Sequence, residues 1–202
     1  MSVGETHDRI ADAAMKLLLA RGVRKMSLTD VAFEAGVTRV TVHRYCGDKK
    51  GLLRLVLQRI VAIFQRAADG NEADSIEMID GRLKELGRDL ALLPKEHLLA
   101  RFEDIKRLYP DVYQEFRAGE REAVDRIFYQ VLTAATRERS LRTEINLEVL
   151  KAIFWASVVG LIENPALISS DVPIAEIFTT VSEVFRHGAL KERPKEGNRD
   201  AV

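Results

Sequence analysis

The chain has 202 residues, 47% of them apolar, and a single cysteine. That is apolar mass enough for a real core in one large or two small domains, and it excludes a disordered chain, a disulfide framework and a cysteine-based metal site. Basic and acidic residues balance at 31 each, but residues 1–60 carry 11 Lys/Arg against 6 Asp/Glu, a net of +5, and the other 142 carry 20 against 25, a net of −5. A basic N-terminal unit on an acidic body points to an anionic partner for the first part.

The opening "MSVGETHDRI" has no basic stretch followed by an apolar one, so no signal peptide is expected. Ile10, Ala14, Leu17 and Leu18 recur at helical spacing, and Arg21-Gly22 supplies a basic last turn and a glycine stop. "SLTD" at 27–30 has the form of a capping box, with Ser27 as N-cap and Asp30 reaching back, so a short helix should run to Ala35. Asp48 can cap another helix, carrying Leu52, Leu53, Val56, Ile60, Ile63 and Phe64. "DGNEAD" at 69–74 is a polar break and the best candidate boundary. Ile76, Ile79, Leu83, Leu86 and Leu90 form a stripe that stops at Pro94; Leu98, Phe102 and Ile105 form the next, ending before Pro110. A long helix should follow from about 111 to about 138. Asn146 and Pro165 bracket another, and Pro173 suits the first residue of a last one. The apolar run within 152–162 is too short to span a bilayer, so no membrane partner and a cytoplasmic location are expected. The charged tail 191–202 should be disordered.

The stretch "GVTRVTVHRY" at 36–45 lies between two capped helices, in a window too short for a hairpin with its own core. Read with 28–35 as two short helices joined by a turn, it turns Val31, Ala35, Val37, Val42 and Tyr45 inward and puts Gly36 where the turn needs positive φ. Thr38, Arg39, Val40, Thr41, His43 and Arg44 then face outward, and no acid lies between Gly36 and Gly47. Such a face suits the DNA major groove: Arg donates to guanine or phosphate, Thr bonds either, and Val40 can pack on a thymine methyl. A polar helical hairpin is the plainer reading of the same pattern.

The segment 27–53 resembles the N-terminal DNA-binding domain of the TetR (tetracycline-repressor-like) family. The matching features are Ser27, "DVA" at 30–32, "AGVT" at 35–38, Thr41, Tyr45, Lys49 and "LL" at 52–53. The resemblance implies an all-α chain, a homodimeric transcriptional regulator, usually a repressor, bound to a double-stranded DNA operator and released by a small-molecule effector. Three positions depart from the family pattern: Val40 where Gly is frequent, His43 where Tyr is common, and Cys46 where Phe is common. They put transfer of any known operator sequence in doubt. Lys49 starts a helix whose free N–H groups favour an anion, so its ammonium and that helix end can clamp a phosphate, with Asp48 working against them. The candidate DNA-binding residues are thus Ser27, Thr38, Arg39, Val40, Thr41, His43, Arg44 and Lys49.

The expected organisation is an N-terminal three-helix, helix-turn-helix domain over 1–48, a connecting helix over 49–68, and a helical ligand-binding and dimerisation body over 69–190. In the body, "EVLKAIFWASVVGLIEN" is apolar on nearly every side apart from Lys151, and the last helix carries a wide apolar stripe. Both can face a partner subunit, through Phe154, Val158, Leu161, Phe178, Val181 and Phe185. Phe102, Tyr109, Phe128, Tyr129 and Trp155 can line an effector cavity, though each taken singly reads first as core packing. Arg101, Glu103 and Asp104 read as solvated helix faces. Histidines 7, 43, 97 and 187 are scattered, without a helical metal pair, and no Gly-rich phosphate loop follows a strand. No catalytic residue, cofactor or metal is expected. A helical dimer that does not bind DNA is the alternative.

Overall fold

The computed structural model describes residues 3–93, 95–161 and 163–190. The tail 191–202, the helix stop at Pro94 and the side chains of His97 and Leu98 lie outside the described residues. Within them the architecture is all-helical: α1 (Val3–Lys25), α2 (Leu28–Ala35), α3 (Arg39–Cys46), α4 (Lys49–Ala67), α5 (Ile76–Ala91), α6 (Lys95–Leu108), α7 (Pro110–Arg137), α8 (Leu147–Trp155), a π-helical turn (Ala156–Gly160), α9 (Pro165–Ile168) and α10 (Ile174–Ala189). One isolated antiparallel bridge, Leu141 to Leu190, is the extent of β pairing among the described residues.

Each helix buries the stripe that its spacing sets. Ile10, Ala14, Leu17 and Leu18 of α1 and Leu52, Leu53, Val56, Ile60 and Phe64 of α4 are all buried, and they belong to one continuous core that reaches Phe178. α4 lies along α7, α5 along α10, and α1 touches α6. The long connecting helix α4 therefore belongs to both parts of the molecule.

Three boundaries differ from the sequence reading. At Gly22 the backbone leaves helical geometry (φ 78°, ψ 168°), but the chain re-enters for a last turn to Lys25, so the expected stop is a break within α1. Pro173 is the extended N-cap of α10 rather than its first helical residue, because ψ 143° already sets up the turn into Ile174. Between Asn146 and Pro165 the chain is not one α-helix: Asn146 caps α8, which passes after Trp155 into the π turn, and Asn164 caps the short α9. The polar segment 69–74 is tied down. Asp74 is 4% exposed and accepts from Arg82 at 2.7 Å and from the Asn71 amide at 3.1 Å. Those hydrogen bonds, the amide's first, hold its carboxyl below the usual carboxylate range.

Candidate nucleic-acid interface

The two short helices α2 and α3 hold because their ends are capped by their own side chains. At Ser27 the capping box is complete: the Asp30 amide donates to Ser27 Oγ at 3.2 Å, and the Ser27 amide donates back to Asp30 Oδ2 at 3.1 Å. Bonding to Ser27 is the main reason the Asp30 carboxyl stays below its ordinary value. α2 ends at Gly36 in the left-handed conformation (φ 62°, ψ 39°). The Val37 amide reaches Ala32 O at 2.9 Å and the Gly36 amide reaches Phe33 O at 3.2 Å, the paired bonds of a Schellman stop. Arg9 of α1 closes the same end, donating to the carbonyls of Ala35 and Gly36. Thr38 then caps α3, accepting from the Thr41 amide at 3.1 Å, and the two threonine hydroxyls lie 2.9 Å apart.

This scaffold fixes which side chains face out. Val31, Ala35 and Val42 are buried, with Val37 and Tyr45 half-buried beside them. Thr38, Arg39, Val40, His43 and Arg44 are exposed, Val40 by 78%, while Thr41 is half-buried. The result is a short helix presenting two guanidiniums, an imidazole, hydroxyls and one aliphatic group, with no carboxylate on α3. Arg44 also lies over the Tyr45 ring, 5.5 Å from its centroid.

Lys49 sits at this end of the molecule, but its ammonium donates to the Arg24 carbonyl at 3.2 Å, joining α4 to the end of α1. Asp48 caps α4, accepting from the Gly51 amide at 2.8 Å. Gly51 is a position the sequence reading passed over. A Cβ there would stand 1.8 Å from the Cys46 carbonyl oxygen, so α3 and α4 approach as closely as they do only because residue 51 is glycine. A glycine in the first turn of a capped helix, where alanine is intrinsically better, is the signal that marks it. Cys46 is half-buried, and burial pushes its thiol pKa up, the opposite of what a reactive thiolate needs.

Two connections run from this end to the body. On α4, Lys50 pairs with Asp111, while Arg54 pairs with Glu115 at 2.7 Å and Asp111 at 3.3 Å, both carboxylates at the start of α7. On α6, Arg101 is not the solvated group its sequence position suggests. It is half-buried and donates through Nε at 3.2 Å and Nη2 at 3.1 Å to the Leu19 carbonyl of α1, beside the Gly22 break. The positive φ favours glycine at 22, and a Cβ there would lie 2.8 Å from Arg101 Nη1 and push the guanidinium aside. Glu103 is exposed, and Asp104 pairs with Arg107 at 2.6 Å.

The five body aromatics are not gathered into one chamber. Phe102 is buried and stacks on Phe116, with Tyr113 tilted against Phe116 and Tyr109 half-buried against the core. Phe128 packs with Phe154 and faces a cavity of about 60 Å³ between α5, α7, α8 and α10 that Ile79, Leu83 and Phe185 also line. Tyr129 is 55% exposed, beneath the Lys151 ammonium. Trp155 stands apart, with Arg117 and Arg121 over its ring.

The side chains expected to face a partner subunit also divide. Phe154, Val158, Phe178 and Val181 are buried in the chain's own core, and Leu161 and Phe185 are half-buried. The apolar residues that α8 and α10 leave outside are Leu147, Val149, Ile153 and Val184, which are 41–64% exposed. Val149, Ile153 and Val184 flank one apolar groove, floored by Phe185 and Gly188. Helical spacing reveals a stripe but not which of its edges the chain itself covers. No described helix is long and apolar enough to cross a membrane, and among the described residues no group of three or more His, Cys, Asp or Glu is placed to hold a metal ion.

Residues 10–56 match the model of the family described as bacterial regulatory proteins, tetR family. Over 53 residues the chain is 42% identical to TtgW of Pseudomonas putida, and over 54 residues 37% identical to YvkB of Bacillus subtilis, both described as uncharacterized HTH-type transcriptional regulators. These matches span 26% and 27% of this chain, and 40% and 29% of the two relatives' lengths. The whole fold is similar to that of a transcriptional regulator from Saccharomonospora viridis solved in complex with choline. The TM-score is 0.69 at 19% identity, over 94% of this chain and 100% of that one.

Proposed function

From residues 10–56, which match the model of the tetR family of bacterial regulatory proteins, we propose that the chain is a DNA-binding transcriptional regulator: a homodimeric repressor on a near-palindromic operator, released by a small molecule. The observation that carries this reading is the acid-free outer face of α3, held at both ends by caps. Arg39, His43 and Arg44 supply charge-assisted or neutral donors, and Val40 an aliphatic contact for a thymine methyl. The hydroxyls of Thr38, Thr41 and Ser27 keep lone pairs beyond their capping bonds and serve as phosphate or base contacts at the rim. Lys49 sits at the same rim.

The groove beside Val149, Ile153 and Val184 supports a second copy as partner. These are exposed apolar groups on two adjacent helices, and a twofold pairing would bury both copies of the groove at once. Such a dimer would place its two α3 helices about one DNA turn apart, ~34–36 Å. The S. viridis regulator holds choline, which supports a small-molecule role for this helical body as well. Release then follows if the ligand favours an arrangement in which the two α3 helices no longer match the operator. α4 with its Lys50 and Arg54 pairs, and Arg101 on the Leu19 carbonyl, are the routes by which the body sets that arrangement. A coupling of about 1–3 kcal/mol weakens operator binding roughly 5–150-fold.

The test is an unbiased selection of operator sequences with the full chain, followed by titration of Arg39→Ala and Thr41→Ala. Loss of a base contact should cost roughly 1–3 kcal/mol and relax preference at one position of each half-site. No selected sequence, with dimers intact in sedimentation, would overturn the reading in favour of a helical dimer that does not bind DNA. Monomers at micromolar concentration would remove the dimer from it.

A further inference from the structure

The body holds a buried polar cluster on α7 and the segment around Trp155. Glu120 of α7 is 4% exposed. Arg117, one turn earlier, lies 2.7 Å from Glu120 Oε2 and 2.6 Å from Glu163 Oε1, and its guanidinium covers the Trp155 ring 5.5 Å from the centroid. A single guanidinium thus serves two carboxylates, one of them almost fully buried. Among the described residues Glu120 Oε2 makes no hydrogen bond, since Arg117 is close but not aligned, and the buried Trp155 Nε1 makes none either. Native interiors rarely leave such atoms unmet, and two beside one arginine point to a missing partner. Burial pushes both carboxyls up, Glu120 to about 7, against the opposing pull of the Arg117 guanidinium.

The indole carries a second cation. Arg121, exposed to solvent, holds its guanidinium 5.0 Å from the Trp155 centroid, and among the described residues that ring contact is its only partner. Arg117 is pinned by two carboxylates; Arg121 is held by the aromatic face alone. The cluster therefore combines an aromatic face already carrying a cation, a buried carboxyl oxygen without a hydrogen bond, an unused indole N–H and one weakly held arginine. The π-helical turn Ala156–Gly160 follows Trp155 directly, and such turns give a helix local freedom to re-space its side chains.

We propose that the Arg117–Glu120–Trp155–Glu163 cluster binds a small organic cation, which takes the place of the Arg121 guanidinium over the indole and pairs with the Glu120 carboxylate. The proposal rests on the reading of the body as ligand-responsive and names the class of ligand. An anion cannot answer the open Glu120 oxygen, and a purely apolar guest leaves it unmet. A cation satisfies the carboxylate and gains from the ring quadrupole. Because the arriving charge favours ionised Glu120, binding releases a proton and tightens as pH rises through about 7. The groups facing Glu120 are Arg117 on its own helix and Glu163 from the segment after the π turn; Glu103 and Lys106 of α6 act on Glu163, and Tyr113 faces the same acids.

Trp155 is the chain's only tryptophan, so its emission reports on the site directly. The probe is benzyltrimethylammonium, with the uncharged isostere neopentylbenzene as control, titrated into the full chain by fluorescence and by calorimetry. Saturable quenching by the cation alone is expected, stronger at about pH 8 than at about pH 6. Glu120→Gln should weaken binding at least about tenfold, and Arg121→Ala, which removes the competing cation, should tighten it. No saturable binding at millimolar probe, equal binding of the isostere, or an unchanged affinity in Glu120→Gln each overturns the proposal. If Glu120→Gln does not fold, the exposed Arg121→Ala decides: tighter binding supports the site, unchanged or weaker binding overturns it. Operator binding is measured separately. Cation binding with these signatures but no effect on operator affinity leaves the site standing and removes ligand release from the functional reading. Intact operator binding without cation binding does the reverse.

Discussion

The reading end of the molecule and its body solve the problem of polar groups in opposite ways. From Ser27 to Gly51 each helix end finds a partner: Ser27 with Asp30, Gly36 with Phe33, Arg9 on the Ala35 and Gly36 carbonyls, Thr38 with Thr41, and Asp48 with Gly51. In the body, Glu120 and Trp155 keep buried polar atoms without hydrogen bonds, and α8 dissolves into a π turn beside them. The first arrangement has one good geometry and suits a surface that must match a fixed DNA shape. The second is under-satisfied, so a ligand can gain by completing it. Local satisfaction of polar groups thus separates the part that must not change from the part that can.

If the reading end is rigid because α3 and α4 are locked together, breaking the lock should have the largest effect in the molecule. Gly51→Ala puts a Cβ 1.8 Å from the Cys46 carbonyl, a backbone oxygen that cannot move without shifting α3. Alanine is the better helix former by about 1 kcal/mol, so intrinsic propensity predicts stabilisation. The clash should dominate, costing about 3 kcal/mol or more and abolishing operator binding. Urea unfolding and a DNA titration check it; a stabilised variant that still binds DNA would show that the two helices are not locked.

The body's under-satisfaction is tested by pH. Folded, Glu120 keeps its proton to about pH 7; unfolded, it gives it up near 4.5. Between those values the folded chain holds the extra proton, so stability falls as pH rises through that window and levels off above it. Glu120→Gln has nothing to titrate there and should escape that part of the loss, on the order of 3 kcal/mol. The measurement is the urea midpoint of both proteins at about pH 5 and about pH 8. Glu163, also raised, leaves a shallower slope of the same sign in the variant. Parallel profiles would place Glu120 in a better-solvated site than the structure gives it.

The two regions were not equally legible. In the reading end the signals are local: Ser27 with Asp30 three residues on, Gly36 between two short apolar patterns, and Asp48 before an apolar stripe each specify geometry within one turn of chain. In the body, the stripe Val112, Phe116, Glu120, Val124, Ile127 has an acid at a core position, and that interruption is readable. What meets it is not, because Arg117, Trp155 and Glu163 converge only through tertiary packing. The same holds for Arg101, whose partner is a backbone carbonyl 82 residues away, and for the apolar edge at Val149, Ile153 and Val184. Periodicity tells which face is apolar; it does not tell how much of that face the chain itself can cover.

The junction between the regions gives a smaller, sharper test. Arg101 places two charged donors on the Leu19 carbonyl, and Arg101→Ala removes both while leaving that acceptor beside the α1 break. A loss of about 1–2 kcal/mol in stability is expected. The more telling change is functional. With the polar tie between α6 and α1 removed, a ligand that releases the wild-type protein should shift operator affinity less, while the sequence preference stays the same because α3 is untouched. Full ligand response in Arg101→Ala would assign the coupling to α4 and its Lys50 and Arg54 pairs alone.

The smallest effect belongs to Lys49, where the two regions' logics compete for one side chain. Its ammonium donates to the Arg24 carbonyl, which makes it an internal tie between α1 and α4. Its place at the start of α4, beside the reading face, suits a phosphate contact, which its remaining two N–H donors can make without breaking that tie. The two roles separate by their salt dependence. A phosphate contact contributes about one unit to the slope of log affinity against log salt, since binding there releases a counterion. Lys49→Met keeps the side-chain bulk and removes the charge. If Lys49 meets phosphate, the variant binds every operator sequence more weakly by a similar factor, and its slope is shallower by about one. If Lys49 is only the tie, the slope stays as it was. Any loss then reflects a displaced α3 and falls unevenly across operator sequences, with positions read by Arg39 most affected.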